Sequence, residues 1–409
     1  MKRPIHGGNL AWAAARAGCS PSLILDFSAS INPLGPPKSA IAAIESHLDD
    51  LVAYPAPDYY PLRVALSQFH PMLNPDWILP GNGSAELLTW AARELSKLEE
   101  TIILTPAFSD YQRALRAFNG RIRACLLFGG DGETGSNVET CHGASGGQGD
   151  GTDEGGLNNI RVTTGENSET RPYIQNPVPL SKAKGSPITR RELPLVPGKR
   201  QGLLLNNPHN PTGQLFDQAS LLPYLEQFAL VVVDEAFMDF LPPDQQQSLI
   251  RWVQDYPNLV ILRSLTKFYS LPGLRLGYAI AHPERLQRWQ QWRDPWSVNV
   301  LAVAAGRAVV QDQAFQHQTW DWLPAARSHL FQGLSSLPGL HPYPSAANFL
   351  LVQSEHSCSQ LQEHLLKHHR ILIRDCLSFP ELGDGYFRVA IRTQADNQRL
   401  LDALKIVIN

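Results

Sequence analysis

Cysteine is scarce and scattered: Cys19, Cys125, Cys141, Cys358 and Cys376 lie far apart, and no two form a CxxC pair. This excludes a disulfide framework and a cysteine-based zinc module, and fits free thiols in a reducing, cytoplasmic compartment. Long apolar runs are missing as well; none approaches the roughly 20 residues that a membrane-spanning helix requires. The start, Met1-Lys2-Arg3, is basic, yet His6, Gly7, Gly8 and Asn9 follow where a signal peptide would place its apolar core. Nor is there a surplus of one charge: 35 Lys+Arg against 38 Asp+Glu leave a formal −3, too little positive charge for a chain built to grip phosphate backbones. His364 and His368 could form half a metal site, but no third ligand stands at a sensible spacing, and a solvated helix face explains them. Secreted, membrane, nucleic-acid and metal-dependent classes are set aside.

What remains is a chain of 409 residues, 43% hydrophobic, long enough for two or three domains at about 150 residues each. Residues 129–199 differ in composition, being rich in Gly, Ser, Thr, Asn, Asp and Glu. Such a stretch buries too little apolar surface to offset its ordering entropy, and reads as a disordered insertion. Around it, strands are expected at Thr101–Leu104, Ile122–Leu127, Gly202–Leu205, Leu230–Val233, Leu259–Leu262 and Leu276–Ile280. Helices are expected at Ala85–Leu98, Tyr111–Phe118 and Gln218–Gln227. Continuous apolar strands such as VVVD indicate a mostly parallel sheet covered on both faces, within a doubly wound α/β domain. After Pro295 the pattern becomes α+β: helices at Val298–Gln311, Trp320–Ser335 and Ser359–His368, with strands at Asn348–Val352, Ile371–Ile373 and Tyr386–Ile391. The expected organisation is an N-terminal segment (1–40) packed on a small C-terminal domain (296–409), with a large domain (41–295) between.

Four motifs carry chemistry. In Ser264-Leu265-Thr266-Lys267 a lysine follows an apolar strand, and Arg275 comes eight residues later. A lysine that forms a Schiff base needs such a place, with a lowered pKa, and the hydroxyls and guanidinium nearby suit a phosphate; alone, the lysine could equally be a surface residue. VVVDEAF ends a buried strand on Asp234, whose carboxylate needs a cationic partner such as the protonated pyridine nitrogen of pyridoxal phosphate; a helix cap or magnesium ligand is the plain alternative. LLLNNPHNPTG sets Asn207 and Asn210 in a proline-rich turn, where an amide can donate to a phenolate or simply close an Asx-turn. GNGSAE, at Gly81–Glu86, opens a helix whose N–H groups would bind an anion, or is a common turn.

Taken in order, GNGSAELL, PAFSDY, NNPHNPTG, VVVDEAF and SLTKFYSLPGLRLGY resemble the fold type I pyridoxal-phosphate enzymes. HGGN, DFSASINPLGPP, YPAPDYYPLR, PWSVNVLA and ILIRDCLSFPEL…YFRVAIRTQADNQRLL resemble the L-threonine-O-3-phosphate decarboxylase family more than its neighbour, the histidinol-phosphate aminotransferases. The resemblance implies a homodimer of large α/β and small α+β domains that decarboxylates O-phospho-L-threonine to (R)-1-amino-2-propanol O-phosphate in cobalamin synthesis. Histidinol-phosphate aminotransferase is the alternative. It makes Lys267 the cofactor-bearing lysine and Asp234 the partner of the pyridine nitrogen. Asn210 would bond the cofactor phenolate oxygen and also meet substrate, and Phe108 would cover the ring. Gly83, Ser84, Ser264, Thr266 and Arg275 would surround the cofactor phosphate, with Tyr54 reaching in from the other subunit. Substrate would meet His6, Gly7, Ser30, Asn32, Arg374 and Arg388.

Two departures stand out. Ser30 occupies the place of an asparagine, replacing an amide with one short hydroxyl, and the 129–199 stretch is unusually large. Phe237 is a contrast with the aminotransferases, which commonly carry a tyrosine there. A non-catalytic regulator is disfavoured: nothing before GNGS reads as a helix-turn-helix, and Lys267 and Asp234 are both kept.

Overall fold

The structure is a computed structural model that describes residues 3–4, 6–127 and 198–408. The expected insertion, up to residue 197, and Cys141 lie outside the described residues.

The strands are β1 (Leu25–Asp26), β2 (Ile78–Asn82), β3 (Glu100–Thr105), β4 (Ile122–Leu126), β5 (Gln201–Asn206), β6 (Leu230–Asp234), β7 (Leu259–Ser264) and β8 (Leu276–Ala281), followed by β9 (Leu340–Pro342), β10 (Phe349–Ser354), β11 (Ile371–Leu372), β12 (Arg374–Asp375) and β13 (Tyr386–Ala390). Seven of them form one sheet in the order β2-β8-β7-β6-β5-β3-β4. The five strands β7 to β4 are mutually parallel, while β8 runs antiparallel to both β7 and β2. The sheet is therefore mixed, and the expectation of α/β architecture with a mostly parallel sheet holds. Its central residues, such as Val231–Val233 and Val260–Leu262, are buried on both faces, which is why those strands lack polar alternation.

A second sheet, β12-β13-β10-β9, is antiparallel. The expected strand Ile371–Ile373 is split: Ile371–Leu372 pairs in parallel with Leu25–Asp26, and Arg374–Asp375 joins the second sheet. The helix expected from Trp320 begins at Gln313, because the Asp312 side chain accepts a hydrogen bond from Phe315 N and caps it earlier. Helix Pro283–Trp292 and strand β2 were not anticipated. Trp289, in that helix, is fully buried against the sheet, with its indole N–H 2.8 Å from Glu94 Oε1.

Directly beneath the functional strand ends lies a buried ionic cluster. Arg263 Nη2 is 3.0 Å from Glu235 Oε2, and Nη1 binds Asp239 Oδ1. Burial raises both carboxyls above their ordinary values of 4.5 and 3.8, against the opposing pull of Arg263. A carboxyl with a raised folded pKa loses stability as pH climbs through the interval between its unfolded and folded values. Arg263→Met should therefore cost about 3–5 kcal/mol at neutral pH by stranding two carboxylates. The deficit should shrink on acidification, as both take up protons; urea unfolding at pH 7 and pH 5 measures it.

Candidate functional site

The parallel strands β5, β6 and β7 end together, and each leaves a chemically active turn at its carboxyl end: Asn206–Asn210, Asp234–Phe237 and Ser264–Lys267. Open α/β sheets place their ligand sites at this edge. A cavity of about 200 Å³ opens here. From the sheet come Asn206, Asn210, Asp234, Ala236, Phe237 and Lys267, and from the neighbouring helix starts Ser84, Phe108 and Tyr111. The N-terminal segment contributes His6, Gly7, Ser28 and Ser30, and the C-terminal region Arg374, Phe379 and Arg388.

Lys267 follows β7 with Nζ 5.1 Å from the centre of the Phe237 ring. Burial holds its amine below the usual lysine range; Asp234 opposes that shift, and Arg388 and Arg275 add to it. A lowered lysine pKa provides a free amine able to attack a carbonyl carbon. Asp234, at the end of β6, is held by two donors: Tyr111 Oη donates to Oδ2 at 2.9 Å, and Ala236 N to Oδ1 at 3.0 Å. Burial raises its carboxyl, with Lys267 and then Tyr111 pulling it back. Asn210 Oδ1 accepts from Arg388 Nη1, which turns its amide N–H₂ away from the arginine.

Helix Ser84–Leu95 points its N-terminus at the cavity through Ser84, with Gly83 as its cap residue at φ +75°. A Cβ at Gly83 would lie 2.6 Å from Arg275 Nη2, so only glycine lets the guanidinium close over the helix start. Ser264 and Thr266 share a 2.7 Å hydroxyl–hydroxyl contact nearby. Gly83, Ser264, Thr266 and Arg275 thus border the cavity without lining it.

At the other end, the register of β12 with β13 sets Arg374 directly opposite Arg388. Like charges at such a position repel. Burial, then Arg374, pushes Arg388 down to about 10. Arg374 is depressed by burial as well, with Asp375 opposing. Arg374 Nη2 donates to Ser378 Oγ at 2.5 Å, Arg388 Nη2 donates to Ser28 O at 3.3 Å, and Arg388 also lies 4.8 Å from the Phe349 ring centre. Among the described residues, Ser30 Oγ and Arg388 Nε are buried without a hydrogen-bond partner. Buried polar groups beside two cations suit an anionic ligand.

Two expected residues are placed elsewhere. Asn32 is 2% exposed and already satisfied: Nδ2 donates to Phe268 O and Thr319 Oγ1, both at 2.9 Å, and Oδ1 accepts from Leu34 N at 3.1 Å. It ties its loop to the lysine-bearing segment and does not face the cavity, since its amide protons are spent. Tyr54 is 79% exposed and packs against Trp296 with ring centres 4.6 Å apart, outside the cavity of this chain. Reading the sequence missed Tyr111, Ala236, Ser28 and Phe379. Tyr111 was legible: three residues after Phe108 at a helix start, it shares that residue's face. Ser28 and Phe379 had no local signal.

Taken together, the cavity offers an amine, a fixed carboxylate, an amide donor and a helix N-terminus around one space, with paired arginines beside it. That donor set suits a ligand with a carbonyl carbon, a basic ring nitrogen and a phosphate, together with a second, doubly anionic molecule. The model of the family "Aminotransferase class I and II" matches residues 180–404. The threonine-phosphate decarboxylase of Salmonella typhimurium is 36% identical over 98% of this chain and 96% of its own. Two solved structures share the fold. One is L-threonine-O-3-phosphate decarboxylase from Porphyromonas gingivalis (TM-score 0.72, 20% identity, covering 93% of this chain and 98% of that one). The other is histidinol-phosphate aminotransferase from Sinorhizobium meliloti in complex with pyridoxal-5'-phosphate (TM-score 0.73, 19% identity, 98% and 94%). With a match of this extent over the strands that build the cavity, the chain belongs to the aminotransferase class I and II family.

Proposed function

We propose that this protein is a pyridoxal-phosphate-dependent decarboxylase of O-phospho-L-threonine, releasing CO2 and (R)-1-amino-2-propanol O-phosphate for cobalamin synthesis. The observation that carries the reading is the juxtaposition of Arg374 and Arg388 in register, beside a lysine of lowered pKa. Two buried guanidiniums side by side are costly unless the ligand brings two anionic groups, here a phosphate and a carboxylate. The near-complete alignment with a threonine-phosphate decarboxylase supports the same substrate.

The residues fit the cofactor. Lys267 is the amine that would carry it, Asp234 the carboxylate for its ring nitrogen and Asn210 the donor to its phenolate oxygen, with Phe108 and Ala236 among the side chains lining the cavity. Gly83, Ser84, Ser264, Thr266 and Arg275 would surround its phosphate. Bound there, pyridoxal phosphate supplies an electron sink for the pair left at Cα when CO2 departs.

Everything else falls to the chain. Tyr111 and the Ala236 N–H hold Asp234 in one orientation and favour its anionic form against the effect of burial, so that it would favour a proton on the ring nitrogen. Arg374 and Arg388 would hold the phosphate and carboxylate of the substrate and so fix its orientation at Cα, spending remote binding energy on that orientation. A proton then takes the place of the lost carboxylate, and Lys267 Nζ is the group on that wall whose lowered pKa suits the exchange. Phe237 contributes no hydroxyl toward the phenolate, leaving that contact to Asn210, which distinguishes this site from an aminotransferase with tyrosine there.

The same reading includes a homodimer in the cytoplasm. Among the described residues no helix is long and apolar enough to cross a membrane. Leu51, Val52, Tyr54 and Trp296 are exposed at 60, 94, 79 and 45%. A second copy would cover them and carry Tyr54 toward its partner's cofactor phosphate. The domain division at about residues 40 and 295 belongs to this reading, with the β1–β11 pairing tying the N-terminal segment to the C-terminal region.

Borohydride reduction of the cofactor-loaded protein should label Lys267 alone in a peptide map; a label on another lysine would remove the assignment. Asp234→Asn should fold and bind cofactor yet lose most turnover, since an amide cannot sustain a charged ring nitrogen; wild-type turnover would point to another group. CO2 release from phosphothreonine and 2-oxoglutarate-dependent conversion of histidinol phosphate, measured in parallel, decide the reaction type. We expect CO2 only, with Arg374→Ala and Arg388→Ala each lowering kcat/KM by about ten- to a hundredfold, the loss of a charge-assisted hydrogen bond. Amino transfer without CO2 would place the chain with the aminotransferases.

A further inference from the structure

Ser28 lies two residues beyond β1, is 2% exposed, and has no expected role, yet three parts of the site meet on it. Its hydroxyl donates to Asp26 Oδ1 at 2.6 Å, and its own N–H donates to the same oxygen at 2.7 Å. With its proton committed, the hydroxyl oxygen is left as an acceptor, and Gly8 N donates to it at 2.8 Å. Its carbonyl oxygen takes the 3.3 Å hydrogen bond from Arg388 Nη2. The approach of the N-terminal segment here is too close for any side chain: a Cβ on Gly7 would stand 2.2 Å from Ser28 O.

The segment is pinned on either side of this contact. Arg3 Nε is 3.1 Å from Asp375 Oδ2, next to Arg374, and Pro4 O accepts from Arg374 Nη1 at 3.5 Å. His6 reaches the opposite wall, with Nε2 3.6 Å from Asp110 Oδ1 and its ring 5.7 Å from that of Phe108. The residues around His6–Gly8 therefore form a strap across the arginine end of the cavity. The outer anchors are exposed or long, and contacts of that kind hold weakly. The contact at Ser28 is short, made to a side chain that is itself buried, and doubly fixed through Asp26.

We propose that Ser28 is a positioning residue that seats the N-terminal strap over the substrate's anionic end and couples it to Arg388. It acts through the strap and through Arg388 rather than on the reacting atoms. Its hydroxyl sets the height of the Gly7–Gly8 backbone, and its carbonyl sets the plane of the guanidinium, so the donors on the strap and on β13 converge on one anion. Asp26 is the support that selects the hydroxyl's rotamer. The choice of phosphothreonine as substrate rests on the preceding reading; the seat itself does not.

Ser28→Ala removes the acceptor for Gly8 N–H while keeping the carbonyl that holds Arg388. In the cofactor-loaded enzyme without substrate, exchange of the Gly8 amide should accelerate about tenfold or more, while the cofactor absorbance spectrum and the label at Lys267 stay as in wild type. With phosphothreonine, KM should rise about three- to tenfold and kcat stay within about twofold, the pattern of lost binding without lost chemistry. Inorganic phosphate should bind the loaded variant more weakly by a similar factor. Asp26→Asn keeps a carbonyl oxygen facing Ser28 and should preserve all three values within about twofold, whereas Asp26→Leu should reproduce Ser28→Ala. Unchanged Gly8 exchange in Ser28→Ala would overturn the proposal, as would faster exchange with unchanged KM and phosphate affinity. Should wild type release no CO2 from phosphothreonine, the substrate reading fails, and the exchange and phosphate measurements still judge the seat.

Discussion

Two guanidiniums held side by side at the buried end of a cavity set the terms for everything around them. Arg374 and Arg388 face each other because β12 and β13 pair in that register, and the register belongs to a sheet whose other strands are packed in the core. The register fixes where both side chains start, so neither can leave this stretch of the cavity wall without breaking that sheet. The pair's charge is met by neutral acceptors, Ser378 Oγ, Ser28 O and Asn210 Oδ1, while burial and repulsion lower the pKa of Arg388 to about 10. In the proposed function, the pair is balanced by a substrate that brings two anionic groups.

The pair reaches the chemistry through short links. Arg388 orients Asn210, which stands on the turn after β5, and it lowers the amine of Lys267 after β7. Lys267 in turn restrains the carboxyl of Asp234, which Tyr111 holds from the other side. In the proposed function, substrate recognition and cofactor chemistry share one electrostatic network. Burial strengthens every interaction in it, since the low local dielectric leaves little water to screen them. The parallel strands make the arrangement rigid: β5, β6 and β7 are hydrogen-bonded neighbours, so their terminal residues keep fixed spacings. The Arg263–Glu235–Asp239 cluster anchors the strand ends from behind.

Much of this was legible in the order of residues. The strands around Leu203, Val232 and Ile261 announce themselves as unbroken apolar runs, and each ends on a polar residue in a turn, which placed Lys267, Asp234 and Asn210 at one sheet edge. Gly83 and Ser84 were legible from the turn chemistry of a helix start. Such signals are short-range: periodicity, capping and turn preference act within a few residues, and the chain carries them before it folds. The expectation for Asn32 failed for the complementary reason. An asparagine in a loop reads as a free amide until the structure shows both of its N–H donors spent on Phe268 O and Thr319 Oγ1.

The sequence by itself determined which groups are available and at which element ends they stand: the amine, the carboxylate, the amide, the helix N-terminus and two arginines near the C-terminus. Tertiary structure alone decided that Arg374 lies opposite Arg388, that Tyr111 meets Asp234 across 123 positions of chain, and that Ser28, which accepts from Gly8, meets Arg388 across 360. These contacts depend on sheet register and on the closure of long loops. Their free energy is collected only when distant elements pack at once, so no local pattern records them.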